Sequence, residues 1–404
     1  MHIKIIPRRN RVFNRKVLKA LSGYVLSGKT RNKDYIADFK NALTAFFGAK
    51  YAVLTPTGRK GLSLIIDYYS FPDGAEIIMP AYTLKDLVSL IKEKGYKPVF
   101  VDINPKTYNL EAALLEEKIN ERTAMIIATH IFGMPCQIDE IVRIARGHNV
   151  IVVEDCAHAM GALYKGRRVG TFSDASFFSL ETSKPVNTFG GGIVITGNKA
   201  LRDFIEGRIN AYPRPGMKLF IKVAFSFIED SVIQSIFFSI LAFLFYFKYT
   251  KVVTTNLYLL FSRKTNVTDF TYTDFQAYLG LLQLKELDLR NKQLMDKVHE
   301  MRKMFKSAVE YQANLSASVP SFYYNVIKTD RDGSAMRKKL LKLGVDVGVG
   351  DEITDNCPMY FKDSGHFPVT DEVSEKLLQL PMSYDFDTEK IRRIAAALDS
   401  SLES

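Results

Sequence analysis

Three apolar runs rich in β-branched and aromatic residues stand close together between residues 149 and 198, and they constrain the fold more than any other feature. In chain order they are NVIVVED, ASFFSL and GGGIVITGN. Short, nearly uninterrupted apolar runs are typical of strands buried on both faces, as in a parallel sheet covered by helices. The pattern predicts an α/β fold with polar residues collected at the strand ends.

Polar residues of three chemical kinds accompany these runs. Asp155 closes the first run, Ser179 stands near the end of the second, and Lys184 follows shortly after it. Pyridoxal phosphate needs a carboxylate on its pyridine nitrogen, a hydroxyl on its phosphate and an amine on its aldehyde. Taken singly, such an aspartate is often a helix N-cap and such a lysine a surface residue. Together the three predict a pyridoxal phosphate site.

Further motifs extend over most of the chain in a fixed order. They lie at residues 26–66, 74–84, 95–110, 130–141, 274–288 and 367–382. With these motifs the chain resembles the DegT/StrS family of sugar aminotransferases, which are fold-type-I pyridoxal phosphate enzymes. The resemblance covers nearly the whole chain except residues 212–268.

The resemblance implies a domain organisation. We expect an N-terminal segment (residues 1–30), a large cofactor-binding domain (31–288) and a small α+β C-terminal domain (289–404). The large domain should hold a mostly parallel seven-stranded sheet flanked by helices. An apolar insertion at residues 213–268 interrupts it. By family habit the protein should form a homodimer with sites at the subunit interface.

The resemblance also assigns roles to site residues. Lys184 would bind the cofactor and shuttle protons, and Asp155 would pair with the pyridinium nitrogen. Ser179 would contact the phosphate, and His158 would lie near the ring oxygen, although a histidine there is more often a packed core residue.

A phosphate loop is implied at Thr57, Gly58 and Arg59, where a helix begins. Backbone N–H groups at a helix N-terminus favour a phosphate dianion. The family usually has threonine at the third position, so Arg59 is a departure. It either adds a direct countercharge or points to solvent.

Two more departures affect the pocket. Leu84 stands where the family has an aromatic residue that stacks on the cofactor ring, and an aliphatic side chain loses that aromatic geometry. Asp269 stands where the family often has an asparagine that reaches the partner subunit's phosphate, with Asn266 as a possible substitute. The chemistry at Lys184 is unaffected by these changes, whereas the substrate pocket should be unusual.

The implied reaction moves an amino group from an amino acid, by family habit glutamate, to a keto-sugar linked to a nucleotide or a lipid. Three alternatives remain open. A sugar dehydratase or deoxygenase of this family would have histidine in place of Lys184, and an acyl-condensing enzyme would show another motif order. A catalytically silent, membrane-associated scaffold is favoured only by the departures at Leu84 and Asp269.

Composition limits the partners and the compartment. The net charge of +11 suits a phosphate-bearing substrate or an anionic membrane, because no nucleic-acid-binding module is evident. Cys136, Cys156 and Cys357 are far apart, which argues against disulfides and a zinc site and favours a reducing compartment. No secretory signal is evident, so we expect a cytoplasmic protein. We also expect that the site binds no metal.

The insertion at residues 213–268 is the second unusual feature. Its residues 231–247 carry no charge, and Lys218, Lys222, Lys248 and Lys251 flank them. A spanning helix needs about 20 apolar residues, so this run is marginal. A single crossing would also separate the two halves of one folding unit. We therefore expect in-plane helices or a re-entrant hairpin on the inner face of the membrane. A buried helix pair at the dimer interface is the alternative.

Overall fold

A seven-stranded sheet organises the larger part of the protein. The computed structural model describes residues 4–9, 17, 19, 34–235, 237–239 and 270–403. The strands of this sheet, in spatial order, are β1 (Tyr51–Thr55), β10 (Gly192–Thr196), β9 (Ala175–Ser179), β6 (Ile151–Asp155), β5 (Thr123–Thr129), β2 (Glu76–Pro80) and β4 (Lys97–Val101). The pairs from β9 to β4 are parallel, and β10 is antiparallel to both neighbours. The predicted mostly parallel sheet is confirmed.

Helices cover both faces of this sheet because the strands are apolar on both faces. One buried cluster joins the sheet to α1 (Tyr35–Phe47), α5 (Ile138–Gly147) and α8 (Asp274–Leu284). A second cluster joins it to α2 (Gly58–Tyr69), α3 (Lys85–Glu93) and α6 (Lys199–Asn210). Side chains of β2 and β10 are buried along the whole length of each strand. These double-sided contacts explain the continuous apolar runs in the sequence.

A second, antiparallel sheet lies in the C-terminal part. Its order is β11 (Glu310–Tyr311), β13 (Asn325–Lys328), β16 (Leu377–Leu380) and β14 (Gly348–Val349). A separate apolar core joins it to α9 (Leu287–Met304), α10 (Gly333–Lys342) and α13 (Thr388–Glu403). The N-terminal segment belongs to this body, since Ile6 pairs with Val345 and is buried in the same core. The predicted boundary at residue 289 falls inside α9.

Short elements complete the described part of the chain. They are β3 (Tyr82–Thr83) paired with β15 (Asp355–Asn356), the sheet β12 (Ser318–Val319), β7 (Leu163–Tyr164) and β8 (Arg167–Arg168), and the helices α4 (Leu115–Lys118), α11 (Cys357–Phe361) and α12 (Pro368–Lys376).

Helix α7 (Met217–Ile233) begins the insertion and turns its apolar side outward. Its buried residues are Leu219, Ser226 and Asp230. Six large apolar side chains are each at least 43% exposed: Met217, Phe220, Ile221, Phe225, Phe227 and Ile228. An ordinary surface helix buries most of its large apolar side chains, whereas α7 exposes most of them. Of the predicted insertion, residue 236 and residues 240–268 lie outside the described residues. Among the helices that are described, none combines the length and apolarity that a membrane crossing requires.

Two helical glycines should respond oppositely to alanine. A Cβ on Gly280 in α8 would lie 2.4 Å from the ring of Phe39, whereas a Cβ on Gly207 in α6 would meet nothing within 4 Å. We expect Gly280→Ala to lower the free energy of unfolding by about 1–3 kcal/mol through overpacking. Gly207→Ala should raise it by about 0.5–1 kcal/mol through helix propensity. Urea unfolding of both variants measures the difference, and equal effects would contradict this packing.

Candidate active site

Asp155 ends β6, the central strand of the large sheet. Its side chain is buried, and Oδ1 accepts the N–H of Ala157 at 2.9 Å. Burial raises the pKa of the Asp155 carboxyl, while the Ala157 N–H and the charge of Lys184 act in the opposite direction. The structure thus places a desolvated carboxyl group, with a cation nearby, at the carboxyl edge of the sheet.

Lys184 follows β9 in a turn, in which its N–H donates to the carbonyl of Glu181 at 2.9 Å. The side chain is half-buried, and Nζ lies 4.3 Å from the centre of the Tyr323 ring. Burial lowers the pKa of the Lys184 ammonium, while Tyr324, Asp155 and Glu181 act in the opposite direction. A lysine with a lowered pKa keeps more of its amine in the neutral, nucleophilic form.

His158 stacks on the same tyrosine. The ring centres of His158 and Tyr323 are 4.4 Å apart with an angle of 21° between the planes. The N–H of Phe132 donates to Nδ1 at 3.4 Å, which leaves the proton of the neutral ring on Nε2. Burial, with the charge of Lys184, holds the pKa of His158 well below its ordinary value. His158 therefore offers a neutral N–H donor beside the lysine.

Thr57 and Gly58 form the start of α2. The Thr57 hydroxyl caps the helix by accepting the N–H of Lys60 at 3.0 Å. The first N–H groups of a helix have no acceptor within it, so they are available to an anion. A Cβ at Gly192 would lie 2.5 Å from the nitrogen of Gly58, so only glycine permits this approach of β10 to the helix.

The register of the sheet places Ser179 near the start of α2. It ends β9 and lies opposite Gly192 in β10, while Thr57 forms a bridge with Gly191. The hydroxyl-bearing residue and the helix start therefore lie at one edge of the sheet. The structure brings together Thr57, Gly58, Ser179, Asp155, Lys184 and His158 at this edge.

The two remaining predicted site residues lie differently. Arg59 forms an exposed ion pair with Asp86 of α3, which is the second of the two expected alternatives for it. Leu84 precedes α3, and its side chain is 44% exposed. The predicted positions Asp269 and Asn266 lie outside the described residues.

Two tyrosines of the C-terminal part were not predicted. Tyr323 contacts Lys184 and His158, and its hydroxyl lies 3.0 Å from the Ser183 hydroxyl. Tyr324 packs against both Tyr323 and His158. Their only signal in the sequence is an aromatic pair immediately before β13. Nothing in that pattern indicates contact with a lysine 139 residues earlier.

A buried group resembling a metal site lies beneath the strand end. Donor atoms of His130, Glu154 and Cys156 lie within 4.8 Å of one another. However, His130 Nδ1 accepts the N–H of Cys136 at 3.0 Å, and Nε2 lies 3.0 Å from Glu154. The Glu154 carboxylate also accepts backbone N–H groups from Gly170, Phe172 and Ser173. These bonds occupy the donor atoms of His130 and Glu154, so the group supports the loop structurally.

The pKa of Lys184 should depend on Asp155. Without cofactor, acylation of the Lys184 amine should rise with pH around a midpoint below that of an ordinary lysine. Asp155→Asn should move this midpoint lower, because the carboxylate raises the pKa of Lys184. Asp139→Asn is the control, since Asp139 pairs with the exposed Lys165. Peptide mass spectrometry across pH measures the midpoint, and an upward shift in Asp155→Asn would contradict this electrostatic assignment.

Comparison with known proteins agrees with this arrangement. A model of the DegT/DnrJ/EryC1/StrS aminotransferase family matches residues 13–220 and 260–399. GDP-perosamine synthase of Escherichia coli O157:H7 is 37% identical over 170 residues, which are 42% of this chain and 47% of that protein. The dTDP-3-amino-3,6-dideoxy-alpha-D-galactopyranose transaminase of Aneurinibacillus thermoaerophilus is 36% identical over 177 residues, which are 44% and 47% of the two proteins. The chain thus matches about half the length of these relatives.

A solved structure resembles the whole fold. Helicobacter pylori PseC, an aminotransferase involved in the biosynthesis of pseudoaminic acid, superposes with a TM-score of 0.77 at 18% identity, over 99% of this chain and 100% of that one. At this identity the likeness concerns the fold alone, and it confirms the predicted fold class. Together with the family match, it shows that this chain belongs to the DegT/DnrJ/EryC1/StrS aminotransferase family.

Proposed function

We propose that this protein is a pyridoxal-phosphate-dependent aminotransferase that moves an amino group from glutamate to a keto-sugar carried by a nucleotide or a lipid. The observation that supports the proposal is the environment of the Lys184 amine. Its half-buried amine lies beside Tyr323 and within electrostatic reach of Asp155, and its pKa is lowered by burial. Perturbed lysines of this kind are typical of catalytic sites.

The residues present fit pyridoxal phosphate. The first N–H groups of α2 and the Ser179 hydroxyl would hold the phosphate. Asp155 would pair with the pyridine nitrogen, and Nε2–H of His158 would donate to the ring oxygen. Arg59 is engaged with Asp86, so the backbone would carry the phosphate interaction at that position. When bound, the cofactor supplies an electron sink that acidifies the carbon bearing the amino group.

Lys184 would act twice in each half of the reaction. Its amine would hold the cofactor at rest. Once free, its Nζ would accept a proton as a general base and donate it again as a general acid. A lowered pKa suits this exchange, because the amine can then release as well as accept a proton near neutral pH. Asp155 would pair with the cofactor nitrogen, and neutral His158 would orient the ring without competing for the proton.

The names of relatives support the acceptor class. The two enzymes named above concern a GDP-linked and a dTDP-linked amino sugar by their names. A dehydratase or deoxygenase is less well supported, since Lys184 retains the amine such members replace. By family habit we also propose a homodimer, with glutamate as donor.

We further propose attachment to the inner face of a membrane through α7 and the residues that follow it. The outward apolar side of α7 supports this proposal, and so does Lys218 near its start. On the buried side, Lys222 pairs with Glu181 at 2.8 Å, which ties the helix to the turn that carries Lys184. A helix held in this way would place the site close to the membrane surface.

Glutamate should change the visible absorbance of the protein loaded with pyridoxal phosphate. Lys184→Ala should lose the absorbance of the lysine-bound cofactor and slow amino transfer by about 10² to 10⁴-fold, the usual contribution of a general base. Lys165→Ala removes an exposed lysine and is the matched control. If the wild-type protein loaded with pyridoxal phosphate shows no visible band, or no response to glutamate, the proposed function is contradicted and the scaffold alternative is favoured.

The membrane proposal predicts flotation with anionic vesicles. Ile221→Asp together with Ile228→Asp should lower the bound fraction by more than about tenfold, since each buried isoleucine contributes roughly 1.5–3 kcal/mol. Leu289→Asp changes an equally exposed leucine of α9 and should leave binding unchanged. If the wild type stays off vesicles while the double variant falls from dimer to monomer, α7 is a dimer interface instead.

A further inference from the structure

Residues 180–191 form a loop between β9 and β10, which we call the lysine loop because it carries Lys184. Backbone hydrogen bonds join its two ends. The N–H of Leu180 donates to the carbonyl of Gly191 at 2.9 Å, and the N–H of Thr188 donates to the carbonyl of Leu180 at 3.0 Å. The position of the Lys184 amine therefore depends on what holds this loop in place.

Lys222 of α7 reaches both limbs of the lysine loop. Its Nζ lies 2.8 Å from Oε2 of Glu181 on the outgoing limb. A Cβ at Gly190 on the returning limb would lie 3.3 Å from the same nitrogen. The Lys222 side chain is only 14% exposed and that of Glu181 37%. An ion pair sheltered in this way is screened by salt less than a pair on the open surface.

Other contacts of the lysine loop come from α8 and α9. Gln283 of α8 donates to the carbonyl of Asn187 at 2.6 Å, and Arg290 of α9 donates to the carbonyl of Pro185 at 3.0 Å. These two bonds reach the backbone of the loop, whereas the bond from Lys222 reaches an acidic side chain. Lys222 therefore changes the charge of the loop as well as holding it.

Glu181 stands between two residues that would bind the cofactor. Its backbone nitrogen lies 3.5 Å from Oγ of Ser179, and its carbonyl accepts the N–H of Lys184 at 2.9 Å. An unpaired carboxylate here would repel the cofactor phosphate and stabilise the charged form of the Lys184 amine. Lys222 supplies the opposite charge, which reduces both unfavourable effects.

We propose that Lys222, a residue of the insertion, is a positioning residue of the active site, which holds the lysine loop and neutralises Glu181. It acts through Glu181 rather than by touching the reacting atoms. The inference rests on the proposed function and deepens it, because it gives the insertion a part in the reaction. This part does not require α7 to contact a membrane.

Titratable groups face the Lys184 amine from several elements: Asp155 of β6, His158 after β6, Glu181 of the lysine loop, and Tyr323 and Tyr324 before β13. Burial lowers the pKa of the Lys184 ammonium, and Glu181 is one of the groups that act in the opposite direction. Glu181 is also the member of this set that Lys222 contacts. Loss of the charge at Lys222 and loss of the charge at Glu181 should therefore move the pKa of Lys184 in opposite directions.

Acylation of Lys184 across pH, in the full chain without added cofactor, tests the proposal. Lys222→Gln should raise the midpoint and slow acylation near neutral pH by about three- to tenfold, because Glu181 is left unneutralised. Glu181→Gln should lower the midpoint, and the double variant should return it close to that of the wild type. Lys218→Gln, one turn earlier on α7, is the matched control, since Lys218 is exposed. It should leave the midpoint unchanged.

Cofactor affinity gives a second measurement. Absorbance titration with pyridoxal phosphate should show binding weakened by about three- to tenfold in Lys222→Gln. Binding by Glu181→Gln should be equal to that of the wild type or tighter, because no carboxylate then repels the phosphate.

The directions of the shifts separate this role from a merely structural one. Loss of a purely structural contact would loosen the lysine loop in both single variants and move both midpoints the same way. That result would overturn the proposal, and so would equal midpoints in Lys222→Gln and Lys218→Gln. If the wild type shows no visible band with pyridoxal phosphate, the proposed function fails, while the midpoints still decide this inference.

Discussion

Two adjacent carboxylates are buried at the end of the central strand β6, and the surrounding structure depends on how each is satisfied. Successive residues of a strand point to opposite faces, so Glu154 and Asp155 face different sides of the sheet. Glu154 accepts N–H groups of the loop at 170–173 and contacts His130, and these bonds connect the strand end to that loop. Asp155, on the opposite face, points toward the site. A buried charge without partners would be very unfavourable, so the Glu154 network is a precondition for placing Asp155 there.

In the site, burial and neighbouring charges shift the pKa values of Asp155 and Lys184 in opposite directions. Burial raises the pKa of Asp155 and lowers the pKa of Lys184, and the two opposite charges each oppose these shifts. Tyr323 completes the arrangement, because the centre of its ring lies 4.3 Å from the Lys184 Nζ and the ring stacks on His158. The Lys184 turn is also bonded through Glu181 to Lys222 of α7. One ion pair therefore connects the turn that carries Lys184 to α7.

Sequence patterns predicted the elements whose signals are local. The apolar runs that became β6, β9 and β10 are continuous because both their faces are covered, and parallel topology brings Asp155 and Ser179 to one edge. The direction of Arg59 was left open, because the deciding partner, Asp86, stands 27 residues away. Tyr323 and Tyr324 were missed because their contacts join distant segments and carry no periodic signal. The insertion was recognised by composition, but the outward direction of its apolar side followed only from which residues of α7 pack inward.

The central claim is that Lys184 is the residue that binds pyridoxal phosphate, and borohydride reduction tests it most directly. Reduction of the wild-type protein with bound cofactor converts the link to lysine into a stable bond, which peptide mass spectrometry can locate. The account predicts one labelled peptide, with the cofactor on Lys184, and no label when an unreactive phosphate ester replaces the aldehyde. A label on another lysine, or no label on a correctly folded protein, would contradict it.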